Sequence, residues 1–159
     1  SVTVCHDSAS YRSNSSIINW MLSQEERMEL NTPYPYREFE RKAYAHRSDL
    51  KELVDSINNS DKKIAGYGAS TKGNVILQFC QFTIKDIYGV AEVNEDKFGK
   101  YTPGSNIPIS SEQDIKSTNP DYMLVLPWHF RENIIAREKD YLLKGGKLIF
   151  PLPEIEIVG

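Results

Sequence analysis

From Lys62 onward the chain switches repeatedly between two periods. Ile64 and Ala65 open a short buried strand, and Val75, Ile76, Leu77, Phe79 and Cys80 make a short, very apolar helix. Residues 87–91 read as a second strand. Residues 122–126, YMLVL, form an unbroken apolar run, the mark of a strand covered on both faces. A helix follows over 130–143 with a long Arg/Glu/Lys face, then a core strand over 147–150 and, past Pro151-Leu152-Pro153, a terminal strand over 154–158. This alternation predicts an α/β fold: a Rossmann-like three-layer α/β/α arrangement with a mostly parallel, doubly wound sheet.

Two helices precede it. Over 17–30 the residues Ile17, Ile18, Met21, Leu22, Met28 and Leu30 gather near one face, and Pro33 and Pro35 stop the pattern. A second helix over 36–58 carries Phe39, Ala43, His46, Leu50, Leu53, Val54 and Ile57 at three- and four-residue steps; His46 sits at its apolar edge, with no second ligand within helical reach. Residues 2–5 alternate as a short strand. Residues 1–60 therefore read as a strand and a helical lead-in, and 61–159 as the Rossmann-like domain.

The candidate chemistry is concentrated in KKIAGYGASTKGNVILQF, residues 62–79. Gly66 and Gly68 allow positive φ or a close approach. The turn containing Tyr67 and Gly68 delivers Ser70, Thr71, Lys72, Gly73 and Asn74 to a helix start, where free N–H groups and the dipole favour an anion. The string lacks the third glycine of G-x-G-x-x-G, and Lys72 precedes Gly73, so it is no Walker loop. A plain strand-to-helix turn with a solvated lysine accommodates the same residues. Glu92, with Asn94 just beyond it, closes the second strand where an acid can meet ribose hydroxyls, or stand solvated. Pro103-Gly104 suits a type II turn, and Ser110 and Gln113 are spaced as a capping box. Trp128, His129 and Arg131 follow the YMLVL strand at its carboxyl end. Lys72 and His129 are expected to face one crevice, with Tyr101 and Trp128 at its mouth.

Composition narrows the field. At 159 residues, 40% hydrophobic and 11% aromatic, the chain has the make-up of one globular domain with a small appendage. A net charge of −3 with scattered Lys and Arg gives no reason to expect nucleic acid, and no apolar run suggests a membrane. Cys5 and Cys80 lie far apart, without metal or disulfide spacing, and are expected as buried thiols in the cytoplasm. The apolar start without methionine reads as a strand cut from a longer polypeptide.

The glycine turn, VNEDKFGKYTPGSNIPI, YMLVLPWHFRENII and GGKLIFPLPEIEIV, in that order, resemble the C-terminal domain of the sugar C-methyltransferases that act on nucleotide-linked deoxysugars. The resemblance runs from about Ile64 to the end. It implies a domain that helps hold a nucleotide-diphosphate sugar through Tyr67, Gly68, Ser70–Asn74, Glu92, Asn94, Tyr101, Trp128, His129 and Arg131. It also implies partner domains in the same polypeptide that bind zinc and S-adenosylmethionine, with residues 1–6 ending the latter. The zinc cysteines, the methyl-donor G-x-G-x-G loop and the family's Glu-His segment are absent, and Glu92 stands where aspartate is commoner. No catalytic residue, metal or cofactor is therefore expected in this chain, which should not methylate alone. A freestanding nucleotide- or CoA-binding module with a regulatory or scaffold role is the alternative; the missing third glycine weighs against an NAD oxidoreductase.

Overall fold

A computed structural model describes residues 4–159. Its packing divides into two compact units, Ser1–Ala43 and Tyr44–Gly159, a division that falls inside a helix. In the first unit, α1 (Ser15–Arg27) starts at Asn14, whose side chain accepts from the Ile17 amide, and none of its residues is buried. The second helix, α2, spans Tyr34–Asn58. Pro35 thus opens α2 rather than stopping α1, as a residue without an N–H can in a first turn. The strand expected over 2–5 falls partly outside the described residues; Val4 and Cys5 are irregular, and Cys5 is exposed rather than buried.

The second unit is built on a six-stranded sheet of β1 (Ile64–Tyr67), β2 (Val90–Glu92), β3 (Ile109–Ser111), β4 (Tyr122–Val125), β5 (Lys147–Phe150) and β6 (Glu156–Val158), ordered β3-β2-β1-β4-β5-β6. All pairings are parallel except β5 with β6. Strand order reverses between β1 and β4, which opens the switch-point crevice of a doubly wound sheet. Side-chain alternation divides the core. Leu124 and Leu126 join Leu50, Val54, Ile57, Ile76 and Leu77 from α2 and from α3 (Thr71–Phe79) on one face. Met123 and Val125 meet Tyr67, Leu148, Phe150 and Ile134 on the other. That opposite face carries α4 (Glu112–Ser117), α5 (Arg131–Arg137) and α6 (Lys139–Leu143).

Several local expectations shift. Residues 87–89 are not strand: the Ile87 amide bonds Thr83 O in a turn, and the strand begins at Val90. β3 takes in Ser110 and Ser111, which read as a helix start, because three residues with two serines carry no visible alternation. Helix α4 is capped by Ser111, paired with Asp114, one residue past the expected box. The helix over 130–143 breaks at Glu138, whose carboxylate turns inward to Tyr67 and Lys116.

Candidate functional site

At the carboxyl end of β1 the backbone turns sharply at Gly68, whose φ is +77°. A Cβ there would stand 2.9 Å from the ring of Pro127, just beyond β4. Gly66 is different: it lies in the strand, and its missing Cβ makes room for Val90, 2.9 Å away on β2. Ser70 then caps α3, its hydroxyl accepting the Gly73 N–H at 2.9 Å. Gly73 presses so closely on Leu126 that any Cβ would overlap it. The turn and the end of β4 are thus locked together by contact.

Above this floor lies a cavity of about 300 Å³, lined by Ala69, Ser70, Thr71, Asn74, Leu77 and Leu126 on one side and by Lys97, Lys100, Tyr101, Thr102, Pro103 and Ile109 on the other. Two lysines line it and no carboxylate does. The Asn74 Oδ1 is buried and has no hydrogen-bond partner among the described residues. The outer wall is tied down by its backbone and small polar groups. Buried Thr102 accepts the Ile107 amide at 2.9 Å, Gln78 donates to Pro103 O at 2.9 Å, and Gly104 takes the positive φ of +76°. The Pro103-Gly104 turn expected from sequence is therefore what bends this wall over α3.

Glu92 ends β2 as expected, but its oxygens are already engaged. Oε1 accepts from the Val93 and Asn94 amides at 2.8 and 3.0 Å, and Oε2 from the Ala69 amide and Lys97 Nζ, both at 3.0 Å. Burial alone would raise this carboxyl, but the donors outweigh it and hold it below the ordinary carboxylate range. Lys97 Nζ also donates to Ala69 O at 2.9 Å, leaving one of its three protons uncommitted. Asn94 caps the short turn Glu95–Lys97 through the Asp96 amide, which sets Lys97 in place.

The remaining expected residues scatter. Thr71 lines the cavity, whereas Lys72 is exposed beside it and does not. Tyr67 contributes only backbone to the turn; its ring lies on the opposite face, its hydroxyl donating to buried Glu138 at 2.9 Å. Trp128–Phe130 forms a 3-10 turn after β4. Trp128 is half-buried against both core faces, and exposed His129 sets its ring 4.2 Å from Phe130. Arg131 is committed to Glu156 at 2.9 and 2.5 Å and lies over the Phe150 ring. None of Trp128, His129 and Arg131 lines the cavity, while Tyr101 does. Sequence reasoning passed over Lys97 and Lys100, for which KFGK, two lysines bracketing a glycine inside a loop, was the available signal. Among the described residues no cluster of His, Cys, Asp and Glu is placed to hold a metal.

Known proteins resemble this chain in sequence. The family described as C-methyltransferase C-terminal domain matches residues 1–153. The C-methyltransferase NovU of Streptomyces niveus is 36% identical over 138 residues, which cover 87% of this chain and 33% of the relative. The chain thus spans about a third of the length of that relative. On the strength of that match across nearly its whole length, the chain belongs to the C-methyltransferase C-terminal domain family.

Proposed function

We propose that this chain is the nucleotide-sugar-binding domain of an S-adenosylmethionine-dependent C-methyltransferase that methylates a carbon of a nucleotide-linked deoxysugar. The observation that carries the reading is the cavity at the carboxyl end of β1, with two lysines, the first turn of α3 and no carboxylate in its lining. Such a surface suits a diphosphate. Lys97 and Lys100 supply charge, and Ser70 and Thr71 sit at the helix start with the dipole behind them. The Asn74 oxygen, buried and without a hydrogen-bond partner among the described residues, suits a hydroxyl or a base N–H, and the exposed Tyr101 ring suits a stacked base or sugar face. In this reading the methyl donor and zinc belong to the other two-thirds of such a polypeptide, and this chain alone binds without methylating. Its setting is the cytoplasm, a view supported by two free cysteines among the described residues. Among those residues no helix is long and apolar enough to cross a membrane.

Calorimetry of the chain with nucleoside diphosphates, nucleotide-sugars, NAD, CoA and S-adenosylmethionine, side by side, tests the reading. Nucleoside diphosphates and nucleotide-sugars should saturate, and Lys100→Ala should weaken both by about 1–3 kcal/mol, the scale of a hydrogen bond to a charged group. S-adenosylmethionine should give no isotherm; saturation at micromolar donor would overturn the assignment. Tight binding of CoA or NAD with none of nucleotide-sugar would favour a freestanding regulatory module instead.

A further inference from the structure

We infer that Glu92 is the positioning residue of the anion cavity and not a ligand contact. In doubly wound nucleotide sites an acid at the end of the second strand takes ribose hydroxyls. Here four donors occupy that carboxylate, and Glu92 does not line the cavity. Its effect is exerted through two neighbours that do line it. Oε2 takes the Ala69 N–H and Lys97 Nζ together, while Lys97 returns a bond to Ala69 O. The peptide unit on each side of Ala69 is therefore gripped, one by its N–H and the other by its carbonyl. Ala69 stands between Gly68, which makes the turn, and Ser70, which caps α3. The grip fixes where the first turn of α3 presents its donors and where the remaining Lys97 proton points.

Charge alone predicts the opposite outcome for a substitution here, and that makes the inference testable. Removing a carboxylate beside an anion site should tighten anion binding by simple electrostatics. A glutamine has one acceptor oxygen, so either orientation of Glu92→Gln leaves two of the four donors facing an NH2 group.

The inference rests on the cavity binding a diphosphate, and inorganic pyrophosphate separates its parts. On the whole chain, calorimetry with pyrophosphate and with UDP should show Glu92→Gln weakening both by about tenfold or more, and by the same factor. In the ligand-free protein the Ala69 amide resonance should move with the substitution, which reports the released grip directly. Lys97→Arg, which keeps charge and donors, should retain most of the pyrophosphate affinity that Lys97→Met loses. Should Glu92→Gln fail to fold, Glu92→Asp, which keeps the charge but shortens the reach, decides by the same ratio. A loss confined to UDP would make Glu92 a ribose ligand and overturn the inference. Unchanged or tighter pyrophosphate binding would overturn it too. If the unsubstituted chain binds neither probe, it is the reading of the cavity that fails, and the inference with it.

Discussion

Gly73 and Gly68 show how much of the site depends on atoms that are missing. Helix propensity alone favours Gly73→Ala by about 1 kcal/mol. Because the new methyl would overlap Leu126 Cβ and close to 3.0 Å on its Cα, the substitution should instead destabilise by about 1–3 kcal/mol in urea denaturation. A gain in stability would show that β4 yields to α3. The glycine-rich turn was legible in the sequence as the tight passage from β1 into α3. The division of labour inside it was not: Gly66 relieves a side chain of β2, and only Gly68 uses its φ freedom. Which neighbour a glycine spares depends on contacts across the sheet, which local pattern does not encode. For the same reason Lys72, nearest in sequence, stays outside the cavity, while Lys97 enters from a loop about 25 residues on.

At the scale of elements, the buried Glu138 ties the far face together. Lys116 of α4 reaches its carboxylate at 2.8 Å, and the Tyr67 hydroxyl of β1 donates to it at 2.9 Å. That buried neighbour, with burial itself the larger cause, pushes the Tyr67 phenol well above its usual range. Lys116→Met would leave a carboxylate only 3% exposed with its nearest full charge gone. The expected cost is about 3 kcal/mol, the low end for a broken buried pair, because a third of the Lys116 side chain stays in water. Adding Glu138→Gln should restore part of the loss; no restoration in the double variant would show that the pair is not the cause. This network also explains the break between α5 and α6. Periodicity predicts one helix over 130–143 because every residue there suits a helix, and only the tertiary pull on Glu138 interrupts it. The strands show the same boundary. The long apolar β4 was plain, whereas β3, with two serines in three residues, is strand only because β2 offers it a partner.

For the molecule as a whole, acid should act through the carboxylates that folding holds below their ordinary range. Asp121, bonded by the Lys63 amide and by Lys62, and Glu92 are two of them. A lowered carboxyl stabilises the fold above its unfolded value of about 4 and loses that contribution as pH falls through the folded value. Stability measured by urea denaturation should therefore hold between about pH 7 and pH 5 and decline below about pH 4. Glu92→Gln should be less stable at neutral pH and decline less steeply, since its share no longer titrates; an equally steep decline would remove Glu92 from the account. The interlocked floor of the crevice has a consequence of another kind. Gly68, with its positive φ, abuts the Pro127 ring, and Gly73 abuts the Cβ and Cα of Leu126, so neither glycine can take a side chain while the end of β4 stays where it is. The facing wall, from Lys97 to Pro103, is held by the Lys97 ammonium, its backbone and a few small groups, and among the described residues the side chains of Lys100 and Tyr101 make no hydrogen bond. New preferences among descendants of this fold would then be inscribed on one bank of the cleft, while the other is inherited nearly unaltered.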